Sequence, residues 1–342
     1  MMLRSCFIAL LLLSISTAGC ISDTEIEEFT TDYDLEGNHS NLVEYLYGSE
    51  GLPVELPINF SLNVSLPAYE NNSNIERIDE IEINSRYNTI SIAYHFIPSN
   101  NTNEKLIIYH QGHLGGIELG KEAISFFLSN GFSVIGYAMP LRGPNVVDSI
   151  LLPNGVNHSL PSMKHAELSI LEEFNVSAIP VFVDPIIIGL NYIEEYYNYS
   201  HISMVGLSGG GWTTVLSSAL DARISFSYPV AGSVPFDLRD EKETNADFEQ
   251  NQNRTIYSIS NYIDLYTMGS SGLDRKQIQI FNSVDPCCYY SGGRESKIHD
   301  YRDEIVFRGG NFDVYFDEEN DGHEISHNSL NFIRDNIARF VV

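Results

Sequence analysis

The run Gly206-Leu207-Ser208-Gly209-Gly210 has the pattern G-x-S-x-G. It follows the apolar stretch "ISMVGL" and leads directly into "GGWTTVLSSAL", which has helical spacing. A serine on so tight a turn needs small residues two places to either side. The turn lifts its hydroxyl clear of the sheet and aims the first amides of the next helix, Gly209 foremost, at a developing oxyanion. A hydroxyl is a weak nucleophile without a base, and the base needs a carboxylate to fix its tautomer. His323 in "NDGHEIS" is the candidate base, and Asp285 in "IFNSVDPCC" the candidate acid. Asp237 is the substitute acid, while surface or capping roles suit Asp184 and Asp317. A second oxyanion donor is expected in "HQGHLGG", where Gly112 permits close approach and the amide of His113 is favoured. The imidazoles of His110 and His113 are either structural or part of the site. The plain alternative for Ser208 is a strand-to-helix turn that does no chemistry.

These residues need strands to position them. From about Asn84 onward, strand-like runs alternate with helical ones. "TISIAYHFIP", "KLIIYH", "FSVIGYAMP", "ISMVGL", "RISFSYPVAG", "KQIQIFNSVD" and "NFDVYF" read as strands. "GKEAISFFLSNG", "DPIIIGLNYIEEYY" (with Pro185 near its start), "GGWTTVLSSAL", "ISNYIDLYTMG", "RESKIHDYRDEI" and "HEISHNSLNFIRDNIARFV" read as helices. This alternation predicts an α/β fold, a mostly parallel central sheet with helices on both faces. In such sheets the site lies at the carboxyl ends of the strands, where every candidate above falls. Residues 42–83 are less regular and are expected to add antiparallel edge strands. The polar segment Val234 to Thr255 reads as an insertion, a possible lid.

Two metal motifs compete with the serine. "HEISH", His323 to His327, matches H-E-x-x-H, which on a helix places two histidines one turn apart around zinc with Glu324 as base. Zinc needs a third protein ligand, and downstream only Asp335 is a candidate. "DEENDG" resembles the start of a calcium loop, with Asp317, Glu319, Asp321 and Gly322 in register, but position twelve is Asn328 rather than a bidentate Glu. Arg142 in "LRGPN" has two readings, a grip on a substrate carboxylate or a pair with a surface acid. The glycine-rich runs lack the Lys-Ser or Lys-Thr of a phosphate loop.

Taken together, "GLSGG", "HQGH", "DPCC" and "DGHE" resemble the α/β-hydrolase superfamily, most of all its esterase and prolyl-oligopeptidase-type branches. The resemblance covers roughly residues 85–342. It implies Ser208 as nucleophile, His323 as base and Asp285 as acid, with no metal or organic cofactor. Family acids are more often followed by residues other than "PCC", so Cys287 and Cys288 are a local peculiarity. They are read as two packed thiols, with a vicinal disulfide as the alternative. No propeller segment precedes the catalytic part, which argues against a large gated oligopeptidase.

The chain has 342 residues, 43% of them hydrophobic, enough for a sizeable core. Its net charge is −27, from 46 acidic and 19 basic residues. Nucleic acid and anionic membrane surfaces are therefore excluded as partners, since both are bound through Lys and Arg. Residues 1–20 read as a signal peptide ending "TAGC", which resembles a lipoprotein signal with Cys20 as the lipidated residue; position 17 is Thr where that pattern prefers Leu, and plain secretion or an uncleaved anchor are the alternatives. Residues 21–41 read as an acidic disordered spacer and 42–342 as the catalytic domain. The sequons, among them Asn157 and Asn198, fit an extracellular or cell-surface location, with the membrane met only through the N-terminal anchor. The expected function is hydrolysis of carboxylic esters, with a small-molecule ester or short peptide as substrate. A prolyl-oligopeptidase-type peptidase is the alternative, followed by a zinc peptidase at His323 and His327 and a non-catalytic surface-binding protein.

Overall fold

In a computed structural model of the chain, residues 33–100, 102–244 and 247–340 are described. The expected leader and Cys20 lie outside them. The apolar runs form one sheet, with strands β1 (Asn59–Ser61), β2 (Ile75–Ser85), β3 (Thr89–Pro98), β4 (Lys105–His110), β5 (Ser133–Tyr137), β6 (His201–Leu207), β7 (Phe226–Val230), β8 (Lys276–Asn282) and β9 (Phe312–Asp317). Their order is β1-β2-β3-β5-β4-β6-β7-β8-β9. The first three run antiparallel to their neighbours, as expected for the edge. From β5 to β9 every pairing is parallel.

The main helices are α1 (Leu35–Tyr47), α2 (Lys121–Ser129), α3 (Pro180–Tyr196), α4 (Gly209–Leu220), α5 (Tyr262–Ser270), α6 (Glu295–Phe307) and α7 (His327–Phe340). Successive strand residues point to opposite faces, and the core divides accordingly. Ile107, Val134 and Val205 pack with Ile124 and Phe127 of α2 and Leu330, Ile333 and Ile337 of α7. Their neighbours Ile108, Ile135 and Met204 pack with Ile186, Leu190 and Ile193 of α3. Both faces are thus covered, and the central strands read as continuous apolar runs for that reason.

Three expectations about boundaries need correction. The stretch 21–41 was expected to be a disordered spacer, but α1 starts inside it, at Leu35. Asp34 caps the helix by accepting from the Gly37 amide at 2.9 Å, and Leu42, Leu46 and Tyr47 are buried against the body of the fold. The acidic composition hid a helix that is held by tertiary packing. Helix α3 starts at Pro180 rather than near Pro185, because Val181, Phe182 and Val183 extend its buried face. The closing helix starts at His327, so His323 lies in the preceding loop. No helix among the described residues is long and apolar enough to cross a membrane.

Candidate active site

Ser208 is the residue between β6 and α4, with φ 56° and ψ −122°. A non-glycine residue in this region carries about 1–3 kcal/mol of strain, which the surroundings must hold in place. The Ser208 amide donates to Val230 O at the end of β7 (2.9 Å), and its carbonyl accepts the first α4 bond, from Trp212 N (3.0 Å). The glycines are required by contact. A methyl on Gly210 would lie 2.7 Å from the His110 carbonyl carbon and 2.8 Å from Gln111 O, and one on Gly211 would lie 2.9 Å from Val230 O. One on Gly112 would lie 2.9 Å from Ser208 Cβ, so the "HQGH" loop passes directly over the serine. Ser208 is itself half-buried.

The strand ends that carry the other two candidates are in register with this turn. Leu207 pairs with Val230, Ile280 with Val230, and Asn282 with Asp317. Asp285, just past β8, has a fully buried side chain and meets His323 Nδ1 at 2.8 Å through Oδ2. A carboxylate only accepts, so Nδ1 carries the hydrogen and Nε2 presents its lone pair. Asp285 Oδ1 accepts from the amides of Cys287 (2.8 Å) and Cys288 (3.3 Å), and Oδ2 from Asn282 Nδ2 (3.1 Å). Burial works to raise the Asp285 carboxyl, but His323, the Cys287 amide and Asn282 outweigh it and bring it below the ordinary value. Asn282 also donates to Gly322 O and Glu324 O (both 3.1 Å), tying the β8 end to the histidine loop. Among the described residues, the Ser208 hydroxyl makes no hydrogen bond to His323.

The loop over Ser208 has anchors that sequence reasoning missed. His113 Nε2 meets Glu249 Oε1 at 2.6 Å, and His165 Nδ1 meets Glu249 Oε2 at 3.1 Å. His165 Nε2 donates to Pro140 O at 2.8 Å. Burial works to raise the Glu249 carboxyl, but the two imidazoles outweigh it and hold it well below the carboxylate range. Burial likewise works to lower His113, and Glu249 outweighs it, so His113 is raised. Glu249 comes from the 234–255 insertion, which is docked a second time by buried Glu243. That carboxylate takes two bonds from Arg294 (2.9 and 3.0 Å) and one from the Tyr289 amide (2.6 Å). Nothing in the sequence pairs Glu249 with a histidine 136 positions earlier. His165 sits among Lys164, Glu167 and Ser169 in "MKHAELSI" and carries no local signal either.

The remaining candidates resolve as follows. Among the described residues Arg142 forms no ion pair with a surface acid. It donates to His113 O (3.0 Å), Leu141 O (2.9 Å) and Met163 O (2.6 Å), bracing the same loop. His110 is buried and stacked on Tyr137, and burial pushes it down to about 4, a neutral structural residue. Asp237 is exposed in the turn Phe236–Leu238, and it is Asp285 that meets His323. Asp184 is buried rather than a surface residue, accepting from Tyr47 (3.0 Å) and Ser85 (3.1 Å). Asp317 is buried at the start of α7, where its Oδ2 accepts from Ser326 Oγ and from Ser329 Oγ (2.6 Å). His323 and His327 do not share a helix, so the geometry of H-E-x-x-H is not formed. His327 packs edge-on against Phe126.

No family model and no curated protein sequence matches this chain. Solved structures do. The chain is similar to the methylesterase BT1017, with TM-score 0.62 and 15% identity over 89% of this chain and 63% of that one. It is similar to acetyl xylan esterase 1 from Thermoanaerobacterium sp. JW/SL YS485, with TM-score 0.59 and 12% identity over 90% and 94% of the two chains. A third is the acetyl xylan esterase from Paenibacillus sp. R4, with TM-score 0.55 and 16% identity over 91% and 94%. The chain therefore spans less than two thirds of the methylesterase but nearly all of each xylan esterase. With the mostly parallel sheet, the strand order and helices on both faces, these likenesses establish that this chain has the α/β-hydrolase fold.

Proposed function

We propose that this protein hydrolyses carboxylic esters through an acyl-enzyme on Ser208. The observation that carries the reading is the strained Ser208 turn at the end of β6, in a sheet whose β8 and β9 ends hold a hydrogen-bonded Asp285–His323 pair. His323 Nε2 accepts the hydroxyl proton as Ser208 Oγ attacks the carbonyl carbon. The resulting imidazolium is stabilised by Asp285 through Nδ1–H. The amides of Gly209 and His113 hold the oxyanion, Gly209 with the added field of the α4 N-terminus. Collapse expels the alcohol, which takes the proton from His323, and water repeats the sequence to release the acid. The Ser208–His323 hydrogen bond forms on substrate binding; such bonds are often long in resting enzymes.

The esterase neighbours make small acyl and methyl esters, including acetylated sugars, the first substrates to test. The chain is further proposed to work outside the cell, tethered through lipidated Cys20. The test is labelling by a serine-reactive fluorophosphonate, beside Ser208→Ala and a panel of acetyl and methyl esters. Labelling and turnover that vanish together in the variant support the reading. A folded protein that neither labels nor turns over any ester refutes it.

A further inference from the structure

The peculiarity of "DPCC" lies beside the acid–base pair. Cys287 and Cys288 are both free thiols, half-buried, with their Sγ atoms 2.6 Å apart. Their sulfurs and one ring nitrogen of His323 all lie within 4.8 Å of one another. The Lys242 ammonium donates to the backbone carbonyl of Cys287 and so ties this turn to the 234–255 insertion. None of this is needed for ester hydrolysis, where only the backbone amides of the two cysteines serve Asp285.

We infer that Cys287, Cys288 and His323 form a binding site for a thiophilic divalent cation, zinc or cadmium, and that its occupancy switches the hydrolase off. Two sulfurs and an imidazole are a soft donor set of the kind that selects such ions. Tetrahedral zinc, with Zn–S near 2.3 Å and Zn–N near 2.0 Å, asks the sulfurs to stand about 3.8 Å apart. That opening requires rotation of the two half-buried thiols. Binding releases one proton from each thiol to solvent, forms two metal–sulfur bonds, and draws the third donor pair from His323. Asp285 stands behind the histidine as the carboxylate that commonly orients a ligating imidazole. Whichever ring nitrogen the ion takes, the base is lost. At Nε2 it occupies the lone pair meant for the Ser208 proton, and at Nδ1 it displaces Asp285.

The inhibitory half of this inference rests on the proposed hydrolysis, and the site itself does not. The reduced full-length protein would be titrated with Cd²⁺, following the thiolate-to-cadmium ultraviolet charge-transfer band. The expected band saturates at one equivalent, is competed by Zn²⁺, persists in Ser208→Ala and is lost in Cys287→Ser/Cys288→Ser. His323→Ala should weaken the affinity at least tenfold. In parallel, Zn²⁺ should inhibit ester turnover reversibly to chelator. Each variant's inhibition is scored against its own metal-free rate, and the double cysteine variant should need at least tenfold more Zn²⁺. Folding of every variant is checked by circular dichroism. Absence of the band, or a band unchanged in the double cysteine variant, overturns the site. A normal band without inhibition overturns the switch. A normal band in a protein that hydrolyses no ester leaves the site standing and sinks the hydrolase reading instead.

Discussion

Gly210→Ala is the sharpest test of how the active-site turn is built. The added methyl would lie 2.7 Å from the His110 carbonyl carbon and 2.8 Å from Gln111 O. Both neighbours are backbone, so neither can rotate away. Relief to ordinary contact requires α4 and the "HQGH" loop to separate by roughly an ångström, and overpacking of this kind costs about 1–3 kcal/mol. Unfolding entropy near 2.1 cal/mol/K per residue amounts to about 0.6 kcal/mol/K over roughly 300 residues, so Tm should fall by about 2–5 °C. The same displacement moves the amides of Gly209 and His113 apart, and a misplacement of about 1 Å can cost on the order of 10²-fold in rate. Thermal denaturation and turnover of a chromogenic acetate ester measure the two effects. Unchanged Tm and rate in Gly210→Ala would refute the close packing. A lowered Tm with full activity would remove the "HQGH" loop from the oxyanion site.

Four further outcomes are expected. Asp285→Asn should leave the fold intact but present His323 in the wrong tautomer, lowering kcat by about 10⁴-fold in steady-state assays. Glu249→Ala should cost about 3–5 kcal/mol in urea denaturation, because it strips the buried partner from His113 and His165. Glu249→Gln should cost less, since an amide can donate to one ring and accept from the other. Burial lifts the Asp184 carboxyl from 3.8 to about 6, against the bonds from Tyr47, Arg86 and Ser85. A raised acid favours the neutral form, so its stabilisation is complete below pH ~4 and is lost as pH rises to about 6. That loss is about 3 kcal/mol. Urea midpoints at pH 4 and 7 should show it as a difference that Asp184→Asn flattens. Finally, a chelator should leave ester turnover undiminished, because His323 and His327 do not share a helix; inactivation by chelator would restore the zinc-peptidase reading.

Local pattern determined much of this protein. The strand-to-helix alternation, the Gly-x-Ser-x-Gly turn and the placement of Asp285 and His323 at strand ends are short-range signals. Apolar period and glycine demand are written in adjacent residues, so the fold class and the three candidates were legible. Composition misled where packing decides. The Asp34 cap and Glu36 in the first turn favour the start of α1 locally, but so short and polar a helix persists only through the docking of Leu42, Leu46 and Tyr47. The H-E-x-x-H match was a coincidence of letters, because the chain stays in a loop until His327.

Tertiary structure alone decided which side chains meet across long sequence gaps. Glu249 finds His113 and His165, Glu243 finds Arg294, and Arg142 finds the carbonyl of His113 rather than any acid. Such contacts depend on where an irregular insertion docks, and no periodicity encodes that. The sequence likewise shows two adjacent cysteines, but only the folded loop sets them beside His323. Burial completes the difference. The chain names its titratable groups, while the field around each one, and so the charge it carries, is created only when the surrounding residues exclude water.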